Sequence, residues 1–104
     1  MNKLKRMFMF SILSLTLPLT IGVVAFATIA HVGGGTWTYG YTDPGNGYYM
    51  GYSYYYHPSN THTSSVSVNG TVYRSALTAP GYTSMINSPS TTSTDIQCYY
   101  NSKA

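Results

Sequence analysis

Charge is what this sequence has least of. Only 7% of its 104 residues are Asp, Glu, Lys or Arg, and both acids are Asp. The lack of Glu removes the commonest general acid/base carboxylate and most hard-cation cages. A single Cys excludes an intramolecular disulfide framework and a thiolate-rich zinc site. Aliphatic side chains are also scarce beyond residue 30: Val32, Val66, Val68, Val72, Leu77, Ile86 and Ile96. So low a share would indicate disorder in a highly charged chain, but here the net charge is a local matter. Lys3, Lys5 and Arg6 supply the formal +3, while Arg74 and Lys103 cancel Asp43 and Asp95. A polybasic nucleic-acid binder or a cationic membrane-lysing peptide does not fit that distribution.

What is abundant is tyrosine. There are twelve Tyr, one Trp and three Phe; every Phe precedes residue 27 and every Tyr follows residue 38. The chain thus divides in two. Residues 2–6 are basic, Met7 to Ala27 carry no charge, and Ala25-Phe26-Ala27 places small side chains where a signal peptidase needs them. This is the order of a helical secretory signal, residues 1–27, with cleavage after Ala27 as the first choice and after Ala30 as the second. The competing reading is a retained anchor, since the uncharged run is long enough to span a bilayer. Pro18, the Ser and Thr content and the lack of a basic cluster after Ala30 argue against it, so no stable membrane insertion is expected after cleavage and residues 28–104 form the exported, mature domain.

Alternation in that domain favours strands throughout. Trp37, Tyr39 and Tyr41 share one face of a strand over 35–41, stopped by Asp43-Pro44-Gly45-Asn46-Gly47. In the run 48–56, Tyr52, Tyr54 and Tyr56 share one face and Tyr49 and Tyr55 the other. After His57-Pro58-Ser59-Asn60, runs over 61–68 and 71–75 flank Asn69-Gly70, a strong hairpin signal that sets Val68 opposite Thr71 and Val66 opposite Tyr73. A weaker strand is expected over 82–86, and a last strand over 95–100. Six short strands predict an all-β fold, a small antiparallel sandwich or meander, with Tyr and Trp filling the core in place of aliphatics. Most Tyr side chains should therefore be core.

Sites for chemistry are few. His57 and His62 flank a Pro-containing turn and could converge, with His31 as a third nitrogen, but two His beside a turn more often serve as hydrogen-bonding loop residues, and neither metal nor cofactor is expected. Ser, His and Asp43 or Asp95 could compose a hydrolase triad on paper, yet nothing resembles a nucleophile elbow, so no catalytic residue is assigned and the chain is read as a non-enzyme. Gly33-Gly34-Gly35 reads as a flexible lead-in over an anion nest. Arg74 is either a solvated strand residue or a phosphate fork. Cys98 is open between an intermolecular bridge and a buried thiol. Asn69-Gly70-Thr71 is read as turn chemistry only, although it matches a glycosylation acceptor.

Gly33-Gly34-Gly35-Thr36-Trp37, Tyr39-Gly40, the block Tyr54-Tyr55-Tyr56-His57-Pro58-Ser59 with His62, then Ser64, Val66, Val68-Asn69-Gly70 and Tyr99-Tyr100-Asn101 together resemble the lactococcin 972 family of bacteriocins. The likeness runs through essentially the whole mature chain. It departs at Asn60-Thr61, where a Lys is common, at Tyr82, where a Trp is frequent, and at Cys98. The resemblance implies a secreted (extracellular) antibacterial β-sandwich of a Gram-positive bacterium and admits a homodimer. It implies action on the cell wall, blocking septum formation through the lipid-linked peptidoglycan precursor, lipid II, without pores. On that reading Trp37 and Tyr39 supply stacking surface, and His57, His62 and Arg74 supply donors to pyrophosphate or sugar. The alternative is a non-toxic surface or matrix protein whose Tyr-rich strands pair with one another.

Overall fold

The computed structural model describes residues 4–9 and 24–104, with side chains from Phe26 onward. Among the described residues eight strands form in chain order: β1 Leu4–Met9, β2 Val24–Val32, β3 Gly35–Asp43, β4 Met50–Tyr56, β5 Thr63–Val68, β6 Thr71–Arg74, β7 Thr83–Asn87 and β8 Ile96–Asn101. They make two four-stranded antiparallel sheets, ordered β1-β8-β5-β6 and β2-β3-β4-β7. The core lies between them: Trp37, Tyr39, Tyr41 and Tyr55 from one sheet meet Val66, Ile96, Cys98 and Tyr100 from the other. Six of the strands match the six expected from alternation, and the sandwich is the realised alternative.

The leader region differs from expectation where it is described. Leu4–Met9 pairs with β8 and Val24–Val32 pairs with β3, both as strands. The expected helix otherwise falls on residues 10–23, which lie outside the described residues. In Val24–Val32 the reason is legible: Val24, Phe26, Thr28, Ala30 and Val32 recur at the two-residue spacing of a strand, and Gly33 and Gly34 close a hairpin behind them. Both glycines have positive φ, 63° and 88°, as a two-residue type I′ turn requires. The triplet is therefore a tight turn, not a flexible lead-in. Asn69 and Gly70 repeat the device at φ 51° and 92°, and the register is the expected one, Val68 opposite Thr71 and Val66 opposite Tyr73.

Packing is closest where the sequence is smallest. A Cβ on Gly51 of β4 would stand 2.6 Å from Ile96 Cγ2 and 2.9 Å from Val66 Cγ1, so only glycine lets the sheets approach there. Its strand neighbours on the same face are Ser53 and Tyr55, both fully buried. Polar groups also bind the two layers together. Ser53 Oγ accepts from Trp37 Nε1 at 2.9 Å and donates to the Tyr99 carbonyl at 2.9 Å. Cys98 Sγ donates to the Tyr52 carbonyl at 3.3 Å, and Ser84 and Ser64 share a hydroxyl hydrogen bond of 3.0 Å. A core this poor in aliphatics satisfies its polar atoms across the interface instead of excluding them.

Candidate functional site

The residues expected to meet a ligand divide by location. Trp37 and Tyr39 project from β3 into the core, each 4% exposed, with ring centroids 3.9 Å apart. Trp37 also packs on Tyr100 at 4.9 Å. The stacking role expected of both does not stand, because their ring faces are spent on the sandwich interior. The alternation that marks them as a shared face could not say that the face turns inward.

His57 and His62 do converge, with ring centroids 6.1 Å apart, but beneath the surface. The His57-Pro58-Ser59-Asn60 turn folds over its own imidazole: Nδ1 accepts from the Ser59 and Asn60 backbone N–H groups at 3.1 and 2.9 Å. That leaves Nε2 as the protonated nitrogen, donating to the Gly33 carbonyl at 3.0 Å. His62 is fully buried, with Nδ1 2.7 Å from the Asn60 carbonyl and Nε2 2.8 Å from the Tyr82 carbonyl. Two backbone carbonyls thus hold the ring from either side. Tyr55 completes the cluster. Its hydroxyl donates to the Val32 carbonyl at 2.8 Å, and its ring lies 5.6 Å from His62 and 4.8 Å from Tyr100. Burial first, then the neighbouring Tyr100, pushes the Tyr55 phenol up to about 12. The cluster is a clasp that holds the β2–β3 turn, the His-Pro turn and the segment before β7 together, and it gives a ligand no donor.

Arg74 is exposed at the end of β6, opposite Ser65 on the face of its sheet turned away from the core. His31 is also exposed, its Nδ1 3.4 Å from Thr36 Oγ1, on the outer side of β2. Among the described residues no three His, Cys, Asp or Glu side chains gather. Cys98 is a buried free thiol whose ionisation desolvation pushes up to about 12, against a weaker opposing hydrogen bond with the Gly40 backbone.

The surface that is available lies on the other side of the β2-β3-β4-β7 sheet. Register places Ile29, Thr38, Tyr54 and Met85 in one row across it, and His31, Thr36, Tyr56 and Thr83 in the next. Ile29 is 65%, Met85 60% and Tyr56 38% exposed, with Tyr54 and Tyr52 half-buried between them. Tyr52 and Tyr54 rings stand 5.2 Å apart, and Tyr54 donates to Asn87 Oδ1 at 3.0 Å. At one end of this track Thr42, Pro44, Asn46, Tyr48, Tyr49, Met50 and Ser90 line a cavity of about 540 Å³. The sequence signal for this surface is the Tyr52, Tyr54 and Tyr56 alternation, which groups the three on one face without saying that the face turns outward.

Residues 33–100, more than half of the chain, match the family model described as Bacteriocin (Lactococcin_972). No curated protein and no solved structure matches the chain.

Proposed function

The chain belongs to the lactococcin 972 family of bacteriocins, and from that premise we propose that it acts outside the membrane of related Gram-positive cells by binding a lipid-linked peptidoglycan precursor. Binding withholds the precursor from wall and septum synthesis and opens no pore. The observation that carries this reading is the outer tyrosine face: it is exposed and aromatic and contains no Lys, Arg, Asp or Glu from Ala27 to Asn87 along its rows. Rings that cover an apolar sugar face while a phenol meets a polar edge suit a sugar-bearing amphiphile. The balance of Arg74 and Lys103 against Asp43 and Asp95 withholds the electrostatic attraction by which cationic peptides gather on anionic membranes. Among the described residues no helix is long and apolar enough to cross a membrane.

Export by the N-terminal signal, with cleavage after Ala27 or Ala30, delivers the protein to that site, and the mechanism requires no catalytic turnover. Purified secreted protein is expected to arrest growth and septum formation without dye leakage, and added precursor to relieve the arrest. Leakage at the inhibitory concentration, or arrest indifferent to precursor, overturns the mechanism.

A further inference from the structure

The outer face of the β2-β3-β4-β7 sheet is built more narrowly than a general hydrophobic surface. Along β4 the side chains of Met50, Tyr52, Tyr54 and Tyr56 point outward in sequence, a track of about 20 Å at the rise of a strand. Thr42, Gly40, Thr38 and Thr36 lie opposite them on β3, in that order. Small hydroxyl-bearing or bare positions beside a line of rings leave each ring an open flank. Beyond β4 the row ends on Met85 and Asn87 of β7. Polar groups on the face are phenols, threonine hydroxyls, one carboxamide and, at its β2 edge, the His31 imidazole; the rows hold no Lys, Arg, Asp or Glu. The exposed Arg74 is on the opposite sheet, and Lys103 lies beyond β8.

We infer that this face is a saccharide platform, with Tyr54 and Tyr56 as its principal stacking residues and the sugar rings of a wall glycan as its ligand. Complementarity of charge selects the occupant. A pyrophosphate or a peptide carboxylate finds no Lys or Arg here, whereas hydroxyl and acetamido groups find partners of matching polarity, and the apolar ring faces find Tyr52, Tyr54 and Tyr56. The 5.2 Å step from Tyr52 to Tyr54 is near the step from one linked sugar ring to the next, so successive rings can be covered by successive tyrosines. The inference rests on the precursor reading only in taking its sugar portion as the natural ligand; the platform itself stands on geometry. It also locates recognition away from Trp37, Tyr39 and both buried histidines.

The test titrates the secreted protein with neutral N-acetylglucosamine oligomers and follows tyrosine resonances by NMR and affinity by calorimetry. Shifts are expected at Tyr52, Tyr54 and Tyr56, with affinity lowered about tenfold or more in Tyr54→Ala and Tyr56→Ala. Leu77→Ala, at an exposed residue on the β6–β7 connection, should bind as the unaltered protein does. Circular dichroism establishes that each variant is folded, and Tyr54→Phe supplies a milder change if Tyr54→Ala is not. Absence of shifts, equal binding by the folded tyrosine variants, or shifts that follow protein concentration and mark a self-paired face would each overturn the platform. Growth assays run in parallel separate the two readings. Arrest relieved by precursor without oligomer binding removes the platform alone, whereas oligomer binding abolished by Tyr54→Ala in a protein that arrests no cells removes the precursor mechanism and leaves the platform standing.

Discussion

At single residues the core is controlled by size and hydrogen bonding more than by hydrophobicity. Gly51 is where Ile96 and Val66 cross β4, and its missing Cβ sets the separation of the sheets. Gly51→Ala should cost about 1–3 kcal/mol, as overpacking of a close interior contact does; a denaturant midpoint unchanged by the substitution would contradict this. Cys98 is held protonated by burial, far above its ordinary value of 9.0. Since the thiolate is the reactive species, a thiol reagent at neutral pH should label Cys98 only after the protein is unfolded. Rapid labelling of the native protein would mean that the sandwich opens far more easily than its packing implies. The Cys98 thiol was one of two alternatives the sequence left open, and burial decides between them.

Elements were legible wherever short-range chemistry determines them. The β5–β6 hairpin follows from Asn69-Gly70 and alternation alone, and Gly70→Ala, which puts a Cβ on a residue at φ 92°, should destabilise the hairpin by about 1 kcal/mol or more, measured by thermal unfolding. The β2–β3 hairpin was not legible. Val24–Val32 lies in a run whose charge pattern reads as a leader, and both expected cleavage sites fall inside the strand, Ala27 opposite Gly40 and Ala30 opposite Trp37. Phe26 stacks on Tyr41 at 4.8 Å, and Ala30 and Val32 pack against the core. A chain beginning at residue 31 should therefore be less stable than one beginning at residue 28, because it loses the pairing of Thr28 to Ala30 beside Tyr39 and Trp37. Equal unfolding midpoints for the two would show that β2 contributes little beyond Val32.

Taken whole, the molecule is a sandwich whose interior phenols and thiol are all easier to ionise in water than in place. Desolvation raises the core residues Tyr39, Tyr41, Tyr55 and Tyr100, Tyr55 to about 12 from 10.0, and also the half-buried Tyr52 of the outer face. An acid whose folded value lies above its unfolded one binds its proton more tightly when folded, so its contribution is complete below the unfolded value and disappears as pH rises through the folded one. For Cys98 and Tyr55 that interval runs from about 9 to about 12. Stability should accordingly decline over that interval, and tyrosinate absorbance should rise in step with loss of structure. Full tyrosine ionisation near pH 10 with the sheets intact would contradict burial of these rings.

Composition and local pattern by themselves determined that the domain is all-β, nearly uncharged, and divided into strands by Pro, Gly and Asn. They also supplied the register of the Asn69-Gly70 hairpin and the pairing of tyrosines by face. Only the tertiary structure decided which faces turn inward. On β4 the alternation offers Gly51, Ser53 and Tyr55 on one side and three tyrosines on the other, and hydrophobicity favours burying the three. The fold does the reverse, because Trp37, Tyr39 and Tyr41 of the adjacent β3 already fill much of the space between the sheets, and Gly51 and Ser53 leave room beside Tyr41 and Tyr39, so that of the β4 tyrosines in Tyr52–Tyr56 only Tyr55, beside Trp37, turns inward. A period of two is symmetric with respect to inside and outside, and the symmetry is broken only by the volume that another strand has already occupied.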